Sequence, residues 1–185
     1  TQRTPLGEVR SMIEPLMDRY LLEHGKQRWC EKSPQNIDYA DVLFRVFPDA
    51  HYICLHRHAM DVLHSLLEVT RYSYMPDQLG SVVRHGGNIV AAMLEMWIHK
   101  TKALLAFEAA HPEQCYRIHY EAYVNAPPKV LPPLFNFMGL EWEEELIDSI
   151  FTTSHDAGFE DVRVALSKRI HTASVGKGRR INPTL

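Results

Sequence analysis

Apolar positions recur along this chain with two different periods. Across residues 6–22, Val9, Ile13, Leu16, Met17 and Tyr20 fall on one helical stripe, and Gly25 follows as a terminator. Residues 28–31 form a short strand candidate, and residues 37–47 return to helical spacing until Pro48 stops it. A strand-length apolar run occupies residues 50–55, after which Met60, Leu63, Leu66 and Leu67 share one face of a helix reaching Val69. Residues 71–87 contain Pro76, Gly80, Gly86 and Gly87 and read as largely irregular. Asn88 then opens a long helix to about Ala109, residues 114–119 are a strand, and helices follow over residues 127–137 and 143–151. Beyond Thr152 the periodicity fades.

Alternation of helix and strand predicts an α/β layer fold with a mostly parallel sheet. No internal repeat and no low-complexity linker divides residues 1–185, so one domain is expected. With 185 residues, 45% of them hydrophobic, the chain is long enough to bury a real core. A formal net charge of −3 argues against a general nucleic-acid binder, so any anion site must be local. Cys30, Cys54 and Cys115 lie in apolar, strand-like runs without metal spacing and are expected to be buried thiols in a reducing compartment. The 11 histidines form no metal-binding spacing, so no metal is expected. No run approaches the roughly 20 apolar residues of a membrane span, and no signal peptide opens the chain. The expectation is a soluble, cytoplasmic protein with no membrane partner.

The chemistry concentrates after the strand at residues 50–55. That strand runs into Arg57 and directly on into a helix. A helix start offers N–H groups and a positive dipole end, and a guanidinium adds a fixed charge with forked donors. Ser65, about two helical turns on, can bring a hydroxyl to the same anion. The plain alternative is a strand–helix corner whose arginine pairs with a surface carboxylate.

Arg57, Asp61 and Ser65 resemble the R-x-P-x-D-x-x-x-S pattern of sulfotransferases that use 3′-phosphoadenosine 5′-phosphosulfate (PAPS), with Ala59 in place of the proline. The resemblance implies that Arg57 and Ser65 bind the nucleotide 3′-phosphate, on a three-layer sheet akin to that of P-loop nucleotide kinases. Lys32, in Glu31-Lys32-Ser33-Pro34, is similar to the family's K-[TSD]-P lysine and stands 25 residues before Arg57. Its implied role is to neutralise charge between the 5′-phosphate and the departing sulfuryl group. Tyr120 resembles the family's adenine-contacting tyrosine, although Ala122 replaces a common aspartate; Gly139-Leu140 reads as a helix C-cap. Ser174-Val175-Gly176-Lys177-Gly178-Arg179-Arg180 is similar to the C-terminal basic loop. By that resemblance Ser174 lies near the 5′-phosphate, and Lys177 and Arg179 bind phosphate.

The family's P-R-[SG]-G-T-T loop, which cradles the 5′-phosphosulfate, has no counterpart before Arg28. A shortened chain, an incomplete stretch of a longer one and a degenerate relative all satisfy that reading. The resemblance implies sulfuryl transfer from PAPS to a hydroxyl or amine on a small molecule, glycan or peptide. His85 is the internal candidate for a base, and His56 and His58 flank Arg57. An apolar acceptor wall is suggested by Tyr72, Tyr74, Met75, Met93 and Met96. The alternatives are a nucleotide-binding protein that transfers nothing and a small-molecule kinase. The kinase requires a G-x-x-x-x-G-K-[ST] loop that the chain lacks.

Overall fold

Most of the periodic stretches fold as the pattern predicts. The computed structural model describes residues 6–70, 79–152 and 169–182. They divide into two compact units, residues 1–52 with 102–115 and residues 53–101 with 116–185.

In the first unit, helix α1 spans Leu6–Glu23 and α2 spans Ala40–Val46, the latter entered through a 3₁₀ turn at Asn36–Tyr39. The buried row of α1 is narrower than its stripe of apolar residues. Val9, Ile13 and Met17, at four-residue spacing, are half-buried, whereas Leu16 and Tyr20 are exposed on the neighbouring row with Met12. Arg10 joins α1 to the turn after α2. Its guanidinium makes paired bonds to Asp49 at 2.8 and 3.1 Å, its Nε reaches Glu14 at 2.7 Å, and its plane covers Phe47. The Arg10 hydrogen bond holds the Asp49 carboxyl below its ordinary range. Phe44, Tyr52, Phe107 and His111 form an aromatic cluster, with Phe44 stacked on His111 at 3.6 Å. Burial there pushes the Tyr52 phenol up to about 12, and its hydroxyl donates to the Phe47 carbonyl at 2.9 Å.

Residues 28–31 are not a strand; they take no regular secondary structure and lie outside the sheet. Trp29 instead sets its edge against Phe47 at 5.5 Å, so ring packing replaces a ladder. Lacking the alternating faces of a sheet, this segment also leaves Cys30 exposed, contrary to expectation. Cys54 is buried and Cys115 half-buried.

The sheet pairs β1 (Tyr52–His56) with β2 (Cys115–His119) in parallel, and both strands run almost wholly in the second unit. Between them come α3 (Ala59–Thr70), α4 (Leu79–Arg84) and the long α5 (Ile89–Ala110). After β2 come α6 (Tyr120–Asn125), α7 (Pro127–Phe137) and α8 (Leu146–Thr152). This is an α/β fold with a parallel sheet. Asn88 starts α5 by accepting the Ala91 N–H on its side-chain oxygen at 2.8 Å. Part of the stretch read as irregular is therefore helical (α4), while residues 71–78 lie outside the described residues, as do 153–168.

Two apolar clusters hold this unit together. Leu63, Val90 and Met93 form one, against Met60, Leu66, Trp97 and Ile181. Ile118, Leu131 and Leu134 form the other, against Tyr116, Phe135, Met138 and Trp142. Met93 is thus core rather than part of an acceptor wall, and Tyr72, Tyr74 and Met75 lie outside the described residues. At the end of α7, Gly139 takes φ +62° and the Leu140 N–H returns to the Phe135 carbonyl at 2.9 Å, the closing turn expected of a glycine C-cap.

Candidate functional site

Neighbouring parallel strands end on the same side of a sheet, and here that side assembles the site. β1 delivers Arg57 just past its last residue, and β2 delivers Tyr120 just past its own. The Arg57 guanidinium lies over the Tyr120 ring, its carbon 4.2 Å from the centroid. Both then meet Ser174. Arg57 Nη2 donates to the Ser174 carbonyl at 3.2 Å, and the Tyr120 and Ser174 hydroxyls are 2.6 Å apart. Arg57 Nε is buried, and no described residue accepts its hydrogen. A buried, unsatisfied donor on a cation is costly unless an acceptor arrives, and an anion is the natural one.

The helix start is less open to that anion than the sequence suggests. The His58 N–H is already bound by Glu121 Oε1 at 2.8 Å. Asp61, in the first turn of α3, uses both carboxylate oxygens on the C-terminal segment, accepting the Gly176 and Gly178 N–H groups at 2.7 Å each. Burial by itself would raise the Asp61 carboxyl. The two N–H groups, with the charges of Arg57 and His58, outweigh that and hold it below its ordinary value. Cationic side chains near this helix start are Arg57 and those of the 3₁₀ turn Lys177–Arg180, which carries Lys177, Arg179 and Arg180.

Beside this junction lies an open cavity of about 390 Å³. Its lining includes His58, Met60, Asp61, Glu121, Gly178 and Arg179. Of the residues singled out by sequence, Arg57, Tyr120 and Ser174 are in contact. Ser65 is half-buried on α3, one turn beyond Asp61 and on the same face. Lys177 and Arg179 sit on the 3₁₀ turn, half-buried and exposed respectively. Lys32 belongs to the first unit and is exposed, just after the irregular segment 28–31. His85 Nε2 lies 3.3 Å from Glu95, which also takes Arg84 at 3.0 Å and the Ser81 hydroxyl; this carboxylate drops to about 2, led by the Ser81 bond. The His56 ring faces the His119 ring at 5.7 Å.

Sequence reasoning named Asp61 without giving it a task and passed over Glu121. The signal available was a carboxylate in the first turn of a helix, together with a Gly-x-Gly spacing far downstream whose amides need acceptors. Among the described residues no cluster of histidine, cysteine and carboxylate side chains is arranged to hold a metal ion. No helix among them is long and apolar enough to cross a membrane.

Comparison with known proteins gives a consistent picture. Residues 7–144 match the family described as "Sulfotransferase family". The protein-tyrosine sulfotransferase 1 of Danio rerio is 24% identical over 149 residues, covering 76% of this chain and 39% of that protein. Among solved structures, the sulfotransferase domain from the curacin biosynthetic pathway superposes with a TM-score of 0.66 at 20% identity, covering 92% of this chain and 62% of that one. The sulfotransferase domain of the Synechococcus PCC 7002 olefin synthase gives a TM-score of 0.65 at 23% identity, covering 90% and 56%. These likenesses place the fold among P-loop-like α/β proteins. The chain spans less than half the length of the curated relatives that it matches.

Proposed function

The chain belongs to the sulfotransferase family, and from that premise we propose that it carries the 3′-phosphate end of a donor site for PAPS. The observation that carries this reading is the buried, unpartnered Nε of Arg57. Around it lie the other parts that a nucleotide phosphate requires. Tyr120 offers a ring, Ser174 a hydroxyl, and the turn at 177–180 three positive side chains around Gly178, with Gly176 just before it. Ser65 lies one turn beyond Asp61 on α3.

When bound, the donor supplies a sulfuryl group for in-line transfer to an acceptor hydroxyl or amine. The chain's own residues hold and neutralise. Arg57 and Ser65 take the 3′-phosphate, with Lys177 and Arg179 adding charge, and Tyr120 contacts the base. Lys32 offsets charge growing on the leaving 5′-phosphate, and the Ser174 hydroxyl serves the same phosphate. A peptide tyrosine is one acceptor to test, because the Danio rerio relative is named for it. The three cysteines outside any disulfide fit a reducing, cytoplasmic compartment.

A second reading, nucleotide binding without transfer, is favoured by one observation. The glycine-bearing loop found beside Arg57 is the C-terminal one at 176–178, which contacts α3 through Asp61. Transfer of a radiolabelled sulfuryl group from PAPS to hydroxyl, amine and tyrosine-peptide acceptors separates the two readings. Label in an acceptor supports the enzyme. Tight donor binding with no labelled product across the panel supports the binder.

A further inference from the structure

Asp61 is 4% exposed, and burying a carboxylate is costly unless its oxygens are satisfied. Both of its oxygens are satisfied from one short segment, more than a hundred residues downstream, by the N–H groups of Gly176 and Gly178. Gly178 lies so close to the first turn of α3 that a Cβ there would come within 2.3–2.4 Å of Met60 backbone and side-chain atoms. Gly176 adopts φ +77°, and Ile181, just past the turn, packs against the Leu63–Val90–Met93 cluster. Polar bonds, close approach and apolar packing thus fix a single register for the turn that carries Lys177, Arg179 and Arg180. The same junction holds Ser174 against Arg57 and Tyr120.

We propose that Asp61 is a positioning residue for recognition of the nucleotide 3′-phosphate: it latches the C-terminal basic turn to the start of α3, so that its cations stand beside Arg57 before any nucleotide arrives. This inference rests on the PAPS-site reading above. The latch needs a carboxylate rather than an amide. Two N–H donors require an acceptor on each oxygen, and asparagine would turn its own NH₂ toward one of them. Gly178 is the second part of the latch, since any side chain there pushes the turn away from Met60. Ordering the turn in advance lowers the entropy that phosphate binding must spend, so the gain is confined to ligands that reach the turn.

Two variants and two measurements test this. Asp61→Asn removes one acceptor, and Gly178→Ala displaces the turn without changing any charge. In nucleotide-free full chain, amide exchange at residues 176–181 is slow in the wild type and faster in both variants, with the core amides of α5 unchanged. Isothermal titration then compares 3′-phosphoadenosine 5′-phosphate with adenosine 5′-monophosphate. Each variant weakens binding of the bisphosphate by roughly tenfold or more, the scale of a lost charge-assisted contact, and leaves the monophosphate within about twofold. Full retention of the bisphosphate preference in both variants, or equal loss of both nucleotides, overturns the positioning role. Unchanged exchange at 176–181 in both variants overturns the latch. If the wild type itself does not prefer the bisphosphate, the site reading fails and this role fails with it. The exchange data still report separately whether the latch exists. Should Asp61→Asn fail to fold, Gly178→Ala carries the same comparison.

Discussion

Arg57 places its charge where the chain leaves a strand and enters a helix, and its Nε is a buried donor without a partner among the described residues. Its position was legible from sequence, because an arginine between an apolar strand and an amphipathic helix is a local pattern. Its contacts with Tyr120 and Ser174 were not, because they arise from strand pairing and from a segment 117 residues away. Replacing Arg57 with lysine keeps the charge and loses the planar fork, so the preference for a 3′-phosphorylated nucleotide should fall severalfold, as competition binding with adenosine 5′-monophosphate would register. Asp61 supplies a pH prediction. Its folded carboxyl titrates below the unfolded one, so it contributes stability above the unfolded value of about 3.9, lost as pH falls through the lower folded value. Arg57 and His58 face it and favour the charged form. Amide protection at 176–181 should hold steady from neutral pH to about 5 and decline below about 4. Asp61→Asn should show no such decline.

At the scale of elements, helices were readable and pairing was not. The 3.6-residue period located α3 and α7, which each present an apolar face, while α5 was readable as a long, largely apolar run opened by Asn88. Residues 28–31 failed as a strand because a short apolar run says nothing about whether a partner strand is available, and Trp29 found Phe47 instead. Likewise α1 carries two apolar rows, and the sequence cannot tell which one is covered. The core assignment can be tested at Leu63, which is 0% exposed. Leu63→Ala should cost about 2–5 kcal/mol in urea unfolding, combining lost transfer energy with a cavity. Asn88→Ala removes the side-chain acceptor at the start of α5 and should cost about 1 kcal/mol in the same assay.

For the whole molecule, the alternating pattern was enough to read α/β, and the local motif was enough to suggest an anion site within a chain of net charge −3, the nucleotide being implied by the family resemblance. The acceptor stayed illegible, since Met93 proved to be core and the residues around Tyr72–Met75 lie outside those described. Lys32 and Arg57 fall in different units. If Lys32 acts on the leaving group, Lys32→Ala in the active protein should lower kcat much more than it changes donor affinity; equal effects on both would make it a binding residue. The most direct test of the 3′-phosphate site is calorimetric titration of the wild type and Arg57→Ala with 3′-phosphoadenosine 5′-phosphate and with adenosine 5′-monophosphate. The wild type should bind the bisphosphate more tightly by about 1.5–3 kcal/mol, and Arg57→Ala should erase most of that difference. Equal affinity of the wild type for both nucleotides would contradict the site.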